Sequence, residues 1–136
     1  MAHDPRLLAT AIDIVLRAGE IQLAHFHRGV RVEKKGAIDL VTEADLEVER
    51  MCRRVLAARF PSHAILAEEL AHEPGQGAAS DHCWVFDPID GTTNFAHGLP
   101  IFCASLGLEI DGRVEIAAIY DPTRRELFTA ERGRGA

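Results

Sequence analysis

The sequence has few cysteines and no closely spaced pair of them. Cys52, Cys83 and Cys103 are odd in number and lie far apart along the 136 residues. A disulfide framework normally uses an even number of cysteines, and a zinc site needs ligands at closer spacing. We therefore interpret all three as buried free thiols in a reducing compartment.

Long apolar runs and an excess of positive charge are also missing. The N-terminus has no basic segment followed by an apolar run, and no stretch approaches the ~20 residues of a membrane span. The formal net charge is -6, and the 15 Lys and Arg residues are scattered along the chain. This pattern argues against nucleic acid or an acidic membrane as a partner. The absences together predict a soluble cytoplasmic protein, which can bind a phosphate ester only if cations supply positive charge locally.

Helical spacing dominates the first half of the chain. Asp4 and Pro5 suit the N-cap and first position of a helix that runs to about Gly29. Its apolar positions are Leu7, Leu8, Ala11, Ile12, Val15, Leu16, Ile21, Leu23 and Ala24. After a loop at 36–39, a second helix is expected to start between Thr42 and Asp45 and to end before Pro61. Its buried positions are expected to be Val48, Met51, Cys52, Val55 and Leu56.

Strand patterns dominate the second half. Short apolar runs at 63–67 and 82–86 are followed by a meander at 102–110, 114–120 and 126–130. The dipeptide Asp111-Gly112 is a two-residue hairpin signal. Between the first two runs, residues 73–80 have the composition of a loop. The order predicts an α+β fold, with layered helices on an antiparallel-rich sheet.

A group of carboxylates lies where two of these strands are expected to end. Glu68 and Glu69 follow the first strand, and Asp87 and Asp90 follow the second. Two carboxylates this close repel each other unless a cation neutralises them, and hard cations such as Mg²⁺ prefer oxygen ligands. The next residue, Gly91, allows an unusual backbone conformation and close approach of a ligand. Thr92 and Thr93 then start a short helical turn whose N–H groups can bind phosphate.

Each part of this pattern also has a simpler interpretation. Asp-Pro and Asp-Gly are common turn dipeptides, so Asp87 and Asp90 could be turn residues. The pair at 68–69 could be a solvated loop. Thr42 and Asp45 fit a capping box at the start of the second helix. The histidines, among them His25, lack the spacing of metal ligands and are expected on the surface or in loops.

The combination is more specific than its parts. Residues 84–95, Trp-Val-Phe-Asp-Pro-Ile-Asp-Gly-Thr-Thr-Asn-Phe, resemble the signature of the inositol monophosphatase family. Residues 39–45 and 65–69 match two further family segments in the expected order. The resemblance implies an inositol monophosphatase-like sugar phosphatase fold in which residues 1–136 form the N-terminal portion. The family's second half carries a Trp-Asp-x-Ala-Ala-Gly segment, which has no counterpart here, so the domain is expected to be truncated.

The resemblance also implies a role for individual residues. The metal ligands would be Glu68, Asp87, the carbonyl of Ile89, and Asp90. The catalytic residues that orient the attacking water would be Glu68, Thr92 and Asp45. Substrate contacts would come from Asp90, Gly91 and Thr92, and either Lys34 or Lys35 would lie near the metals.

The function implied is that of a Mg²⁺-dependent phosphomonoesterase with two or three Mg²⁺ ions. It would hydrolyse a small alcohol or sugar phosphate, such as myo-inositol 1-phosphate, by attack of a metal-activated water. A fructose bisphosphatase-like or other sugar-phosphate activity is one alternative. A catalytically incomplete metal-binding fragment or interaction module is another. The expected partner is a small phosphorylated alcohol or sugar, with no nucleic acid or membrane, and a homodimer is a candidate assembly.

Overall fold

Two long helices precede a five-stranded sheet. The computed structural model describes residues 4–28, 36–67 and 80–136, with the backbone alone for 36–42. Helix α1 spans Pro5–His27, α2 spans Gly36–Arg59, and the short α3 spans Thr92–Ala96. The strands are β1 Ala64–Ala67, β2 His82–Asp90, β3 Cys103–Ile110, β4 Arg113–Asp121 and β5 Glu126–Glu131. The expectations for residues 29–35 and 68–79 lie outside the described residues.

The start of α1 is as the sequence predicts. A carboxylate oxygen of Asp4 accepts a hydrogen bond of 2.9 Å from the backbone N–H of Arg6, which otherwise has no helical partner. Of the apolar positions predicted for the first part of α1, Leu7, Ala11 and Val15 are buried, whereas Leu8 and Ile12 are half-buried and Leu16 is exposed. Ile14 and Ala18 are buried in their place. The buried side then continues through two polar residues, Gln22 and His25, instead of through Leu23 and Ala24. The surface placement expected for His25 is therefore wrong, because it lies one helical turn beyond Gln22 on the same buried side.

Helix α2 begins earlier than the sequence predicts. It starts at Gly36, so the loop expected at 36–39 is wrong. Thr42 and Asp45 lie inside the helix, and the capping-box interpretation is wrong as well. No Gly or Pro interrupts residues 37–59, and each further helical residue adds one backbone hydrogen bond once the packed part has formed. The expected end of α2 before Pro61 is confirmed. None of the helices in the described residues is long and apolar enough to cross a membrane.

The five strands pair in the order in which they occur along the chain. Strand β1 is parallel to β2, and the other three pairings are antiparallel. The β3–β4 hairpin turns at Asp111 and Gly112, whose φ angles of 53° and 78° are those of a type I′ turn. The predicted α+β fold with an antiparallel-rich sheet is thus confirmed.

One face of the sheet packs on the helices and forms the main core. Strand residues Trp84, Phe86, Ala104, Leu106, Leu108, Ile116 and Ala118 pack there with Ile14, Val15, Val48, Cys52 and Leu56 of the helices. Helix α1 approaches β4 so closely that a Cβ on Gly19 would lie 2.5 Å from the Tyr120 ring. Trp84 and Phe86 point into this core, whereas Val85 between them points to the other face and is half-buried.

The opposite face of the sheet carries several exposed apolar side chains in the described part of the chain. Its side chains include Leu66, Val114, Ile119 and Phe128, of which Phe128 is 56% exposed. Ile119 and Phe128 are direct neighbours across β4 and β5. A sheet that buries one face in this way normally covers a second apolar face with another layer.

Candidate active site

An irregularity in β2 brings two carboxylates to the same face of the sheet. Asp87 lies opposite Ser105, and Asp90 lies opposite Cys103, so three steps along β2 match two steps along β3. Side chains directly opposite each other point to the same face, and Ser105 and Cys103 share a face because they are two residues apart. Asp87 and Asp90 would point to opposite faces of a regular strand. The extra residue of this β-bulge places both on the face away from the helices.

This geometry corrects the simpler interpretation of the segment as a turn. Asp87 and Asp90 are both strand residues, because β2 continues through Pro88 and ends at Asp90. Pro88 has no N–H to donate to a strand ladder, and a bulge is one of the few places where a strand tolerates proline. The chain therefore stays extended while the ladder is broken.

Gly91 makes the turn from β2 into α3. Its φ of 98° and ψ of 34° are disfavoured for residues with a side chain. A Cβ there would also lie 2.8 Å from the carbonyl oxygen of Ile101 and 3.2 Å from the Cα of Phe102. The backbone at Gly91 thus passes directly over the 101–102 segment, and only glycine fits without displacement.

The hydroxyl of Thr92 is fixed at the start of α3. Thr92 Oγ1 donates to the carbonyl oxygen of Ile89 at 3.0 Å, and the side-chain amide of Asn94 donates to the carbonyl oxygen of Ile101 at 3.0 Å. The Ile89 side chain is buried. Its carbonyl has two lone pairs, so the bond from Thr92 leaves one available for a further ligand.

Asp45 is held close to the same segment from the side of α2. Its neighbour Ala44 is fully buried in a small cluster with Ile89, Phe95 and Phe102. Asp45 itself is 6% exposed. The helix that carries Asp45 therefore packs directly against the end of β2 and the residues that flank Gly91.

Negative charge accumulates around this end of the sheet. Burial first, and then the negative charges of Asp90, Asp87 and Asp121, raise the pKa of the Cys103 thiol to about 11. Cys103 Sγ lies 4.0 Å from a carboxylate oxygen of Asp90. The Asp121 carboxylate is already occupied by Thr123 and Arg124, whose hydrogen bonds outweigh burial and lower its pKa. Asp87 and Asp90 are the other two carboxylates whose charge acts on the Cys103 thiol.

The donor atoms fit a hard divalent cation. Two carboxylates and one main-chain carbonyl are the oxygen ligands that Mg²⁺ prefers. Within the described residues, no group of three His, Cys, Asp or Glu side chains is arranged to hold a metal ion. The third carboxylate expected from the sequence, Glu68, lies outside the described residues, as do Glu69, Lys34 and Lys35.

Most of the expected site residues that the structure describes lie together. Asp87, Ile89, Asp90, Gly91 and Thr92 form one continuous bulge and turn. Asp45 follows Ala44, which packs against Ile89. Sequence reasoning missed two further residues in this region. Cys103 pairs directly with Asp90 across the strands. The buried Gln22 donates from Nε2 to the carbonyl oxygen of Pro88 at 2.6 Å, and its signal was a polar residue on the buried side of α1.

Comparison with known proteins identifies the family of this chain. The sequence profile of the inositol monophosphatase family matches residues 4–136. The chain belongs to the inositol monophosphatase family. An inositol monophosphatase from Dictyostelium discoideum is 42% identical over 130 residues, which cover 95% of this chain and 48% of that protein. The Nus factor SuhB from Pseudomonas aeruginosa is also 42% identical, over 96% of this chain and 49% of that protein.

Solved structures of inositol monophosphatase relatives agree. The extragenic suppressor protein SuhB from Bartonella henselae has a TM-score of 0.81 at 33% identity and aligns with 94% of this chain and 49% of its own. The inositol monophosphatase from Anabaena has a TM-score of 0.79 at 35% identity, over 96% of this chain and 45% of its own. The expected inositol monophosphatase-like fold is confirmed. The chain spans about half the length of the relatives it matches, in agreement with the expected correspondence to the N-terminal half.

Proposed function

We propose that this chain carries the cation- and phosphate-binding half of a Mg²⁺-dependent phosphomonoesterase. The observation that carries the proposal is the β-bulge that turns Asp87 and Asp90 to one face, directly before the Gly91 turn. Two carboxylates on one face of a strand repel each other, and a cation bound by both would remove that repulsion. Membership of the inositol monophosphatase family supports phosphate-ester hydrolysis as the reaction.

The proposed roles follow the donor atoms. Glu68, Asp87, the Ile89 carbonyl and Asp90 are the proposed ligands for the first two of two or three Mg²⁺ ions. Asp90, together with Gly91 and Thr92, contacts the substrate phosphate. Glu68, Thr92 and Asp45 orient the attacking water.

Thr92 suits its proposed role because of its hydrogen bond. Since its own proton is donated to the carbonyl oxygen of Ile89, its lone pairs remain available to accept a hydrogen bond from the attacking water. The carboxylate oxygens of Asp45 can accept a hydrogen bond from the same water, from the side of α2. Bound Mg²⁺ supplies the positive charge that lowers the pKa of the attacking water and offsets the charge on the leaving alkoxide.

The proposed substrate is a small alcohol or sugar phosphate such as myo-inositol 1-phosphate. Several relatives bear the name inositol monophosphatase, which favours this class over a fructose bisphosphatase-like activity. The net charge of -6 favours a small ester over nucleic acid or an anionic membrane as the ligand. The free thiols Cys52, Cys83 and Cys103 suit a reducing cytoplasm as the proposed location.

The experiment compares two substitutions that remove the same charge. Asp90→Asn removes a proposed Mg²⁺ ligand, whereas Asp111→Asn removes an exposed carboxylate from the β3–β4 hairpin, where Asn also tolerates positive φ. Mg²⁺ affinity is measured by calorimetry, and phosphate release from myo-inositol 1-phosphate is followed with and without Mg²⁺. Release is measured for this chain and for this chain joined to the remaining half of the Dictyostelium discoideum relative.

We expect Asp90→Asn to weaken Mg²⁺ binding by at least about tenfold and to abolish phosphate release, because a direct ligand is lost. Asp111→Asn should change neither. If no form releases phosphate in a Mg²⁺-dependent manner, the proposed reaction is wrong. Equal effects of the two substitutions would refute the proposed ligand role of Asp90.

The exposed apolar face of the sheet favours a second candidate function. A chain that presents Leu66, Ile119 and Phe128 to solvent is suited to associate with another polypeptide, as a metal-binding fragment or interaction module without catalysis. Activity discriminates between the two candidates. Mg²⁺-dependent phosphate release by this chain alone, lost in Asp90→Asn, would exclude the non-catalytic function.

A further inference from the structure

The side chain of Gln22 connects α1 to the bulge of β2. Gln22 is fully buried, and its Nε2 donates to the carbonyl oxygen of Pro88 across 66 positions of the sequence. The donor–acceptor distance is 2.6 Å. A carbonyl oxygen only accepts hydrogen bonds, so the atom that faces it must be the amide nitrogen of Gln22.

This hydrogen bond acts at the point where the strand ladder is broken. The pairing of β2 with β3 is regular up to Asp87 and resumes at Asp90, so the Pro88 carbonyl lies inside the irregular step. The direction of that carbonyl fixes the plane of the peptide that joins Pro88 to Ile89, because peptide bonds are planar. This plane lies in the middle of the irregular step, between Asp87 on one side and Asp90 on the other.

The position of Gln22 is itself fixed by the next turn of α1. His25 is buried, and its Nε2 lies 2.5 Å from a carboxylate oxygen of Glu47 on α2. Glu47 is two residues beyond Asp45 on the same helix. The end of α1 therefore contacts the bulge through Gln22 and the helix of Asp45 through His25.

The cost of burying Gln22 argues against a role in packing alone. Among the described residues, its side-chain oxygen Oε1 has no hydrogen-bond partner. Burial of an amide with one group unpaired is unfavourable, and an apolar side chain of the same size would fill the space without that cost. Within the part of the chain that the structure describes, the hydrogen bond that Gln22 donates is the one to Pro88.

We propose that Gln22 is a positioning residue of the cation site: through the Pro88 carbonyl it sets the bulge geometry that directs Asp87 and Asp90 to a common cation. The inference rests on the proposed function, because it assigns a purpose to the same two carboxylates. Gln22 itself does not touch cation or substrate in this arrangement. Gln22 acts only through its hydrogen bond to the carbonyl of Pro88.

The test uses two isosteric substitutions on the buried side of α1. Gln22→Met keeps the size of the side chain but removes the donor to Pro88. Thr10→Val is the matched control. Thr10 is also buried on α1, three turns before Gln22, and it accepts a hydrogen bond of 3.2 Å from Arg59 of α2. Backbone amide spectra of the two variants and of the wild type are recorded by NMR without Mg²⁺ and during a titration with MgCl₂, and thermal unfolding of each is measured.

We expect Gln22→Met to move the amide signals of residues 87–92 in the absence of Mg²⁺. It should also weaken the apparent Mg²⁺ affinity by about 10- to 100-fold, the usual effect of removing a group that orients metal ligands. Thr10→Val should leave both unchanged, even if it lowers the unfolding temperature as much as Gln22→Met does. A purely structural role for Gln22 would give the two variants the same pattern.

The outcomes separate this inference from the proposed function. A wild-type protein whose signals at 87–92 respond to Mg²⁺, with the same response and affinity in Gln22→Met, would overturn the positioning role alone. A wild-type protein with no response to Mg²⁺ would contradict the proposed cation site itself. Loss of affinity in Gln22→Met but not in Thr10→Val supports both.

Discussion

Replacement of Gly91 by alanine tests whether the turn after β2 has the geometry described above. The added Cβ would meet two backbone atoms, the carbonyl oxygen of Ile101 at 2.8 Å and the Cα of Phe102 at 3.2 Å. Backbone atoms cannot rotate away as the end of a side chain can. The turn must therefore move away from residues 101–102, or the variant must bear the strain.

The magnitude follows from comparison with a second glycine. Gly112 also has a positive φ, 78°, but a Cβ there would have no other atom within 4 Å. Gly112→Ala therefore includes only the conformational cost of a side chain at positive φ, about 1 kcal/mol. Gly91→Ala adds the overlap with Ile101 and a φ of 98°, farther from the left-handed region that other residues tolerate. We expect its total cost in unfolding free energy to be about 3 kcal/mol.

Urea unfolding gives the comparison directly. Trp84 is the only tryptophan of the chain, is fully buried, and donates from Nε1 to Nδ1 of His63 at 3.0 Å, so its fluorescence should report global unfolding. Mg²⁺ affinity is measured on the same samples. A Gly91→Ala variant no less stable than Gly112→Ala, with unchanged Mg²⁺ affinity, would refute both the close approach to Ile101 and its connection to the site.

Two further predictions concern pH and association. Burial, and then the neighbouring His82, lower the pKa of His63 below its usual 6.5. The unfolded chain therefore takes up the proton more readily than the folded one. We expect the contribution of His63 to the unfolding free energy to be fully present above pH ~6.5 and to be lost as the pH falls below that value. The unfolding free energy from urea should therefore fall more steeply with decreasing pH in the wild type than in His63→Gln, and equal slopes would contradict this. We also expect Phe128→Ser to reduce self-association in sedimentation velocity by removing the most exposed large apolar side chain of the sheet, whereas Leu99→Ser, also exposed but outside the sheet, should not.

Local sequence signals predicted most of the secondary structure. The N-cap at Asp4, the end of α2 before Pro61 and the hairpin at Asp111-Gly112 depend on a few neighbouring residues, and the structure has all three. Four of the five buried positions predicted for α2 from its helical period, Val48, Met51, Cys52 and Leu56, are buried, and Val55 is half-buried. Features of this kind are encoded within one or two turns of chain, where propensity and capping chemistry act directly.

The bulge in β2 could not be predicted in the same way. The run Asp87-Pro88 has the local chemistry of a turn, and Asp90-Gly91 repeats it. The chain stays extended there because β3 pairs on both sides of the irregularity, at Ser105 and at Cys103. Pairing with a strand that follows about fifteen residues later is tertiary information, and it decides between a turn that separates two carboxylates and a bulge that aligns them.

The polar end of α1 shows why the site and the core depend on each other. From Leu7 to Ala18 the buried side of α1 is almost entirely apolar and packs on the main core, while Gln22 and His25 continue it as polar residues. A helix that only needed to cover the sheet would be more stable with apolar side chains at both positions, because buried polar groups lose their hydration. The polar residues begin where α1 reaches the β2 bulge. There Gln22 meets the carbonyl of Pro88, and His25 meets the carboxylate of Glu47. Within two turns, α1 therefore changes from packing on the core to contacting the candidate site. We expect substitutions of buried residues before Ala18 to lower mainly the unfolding free energy, and substitutions after it to lower mainly the cation affinity.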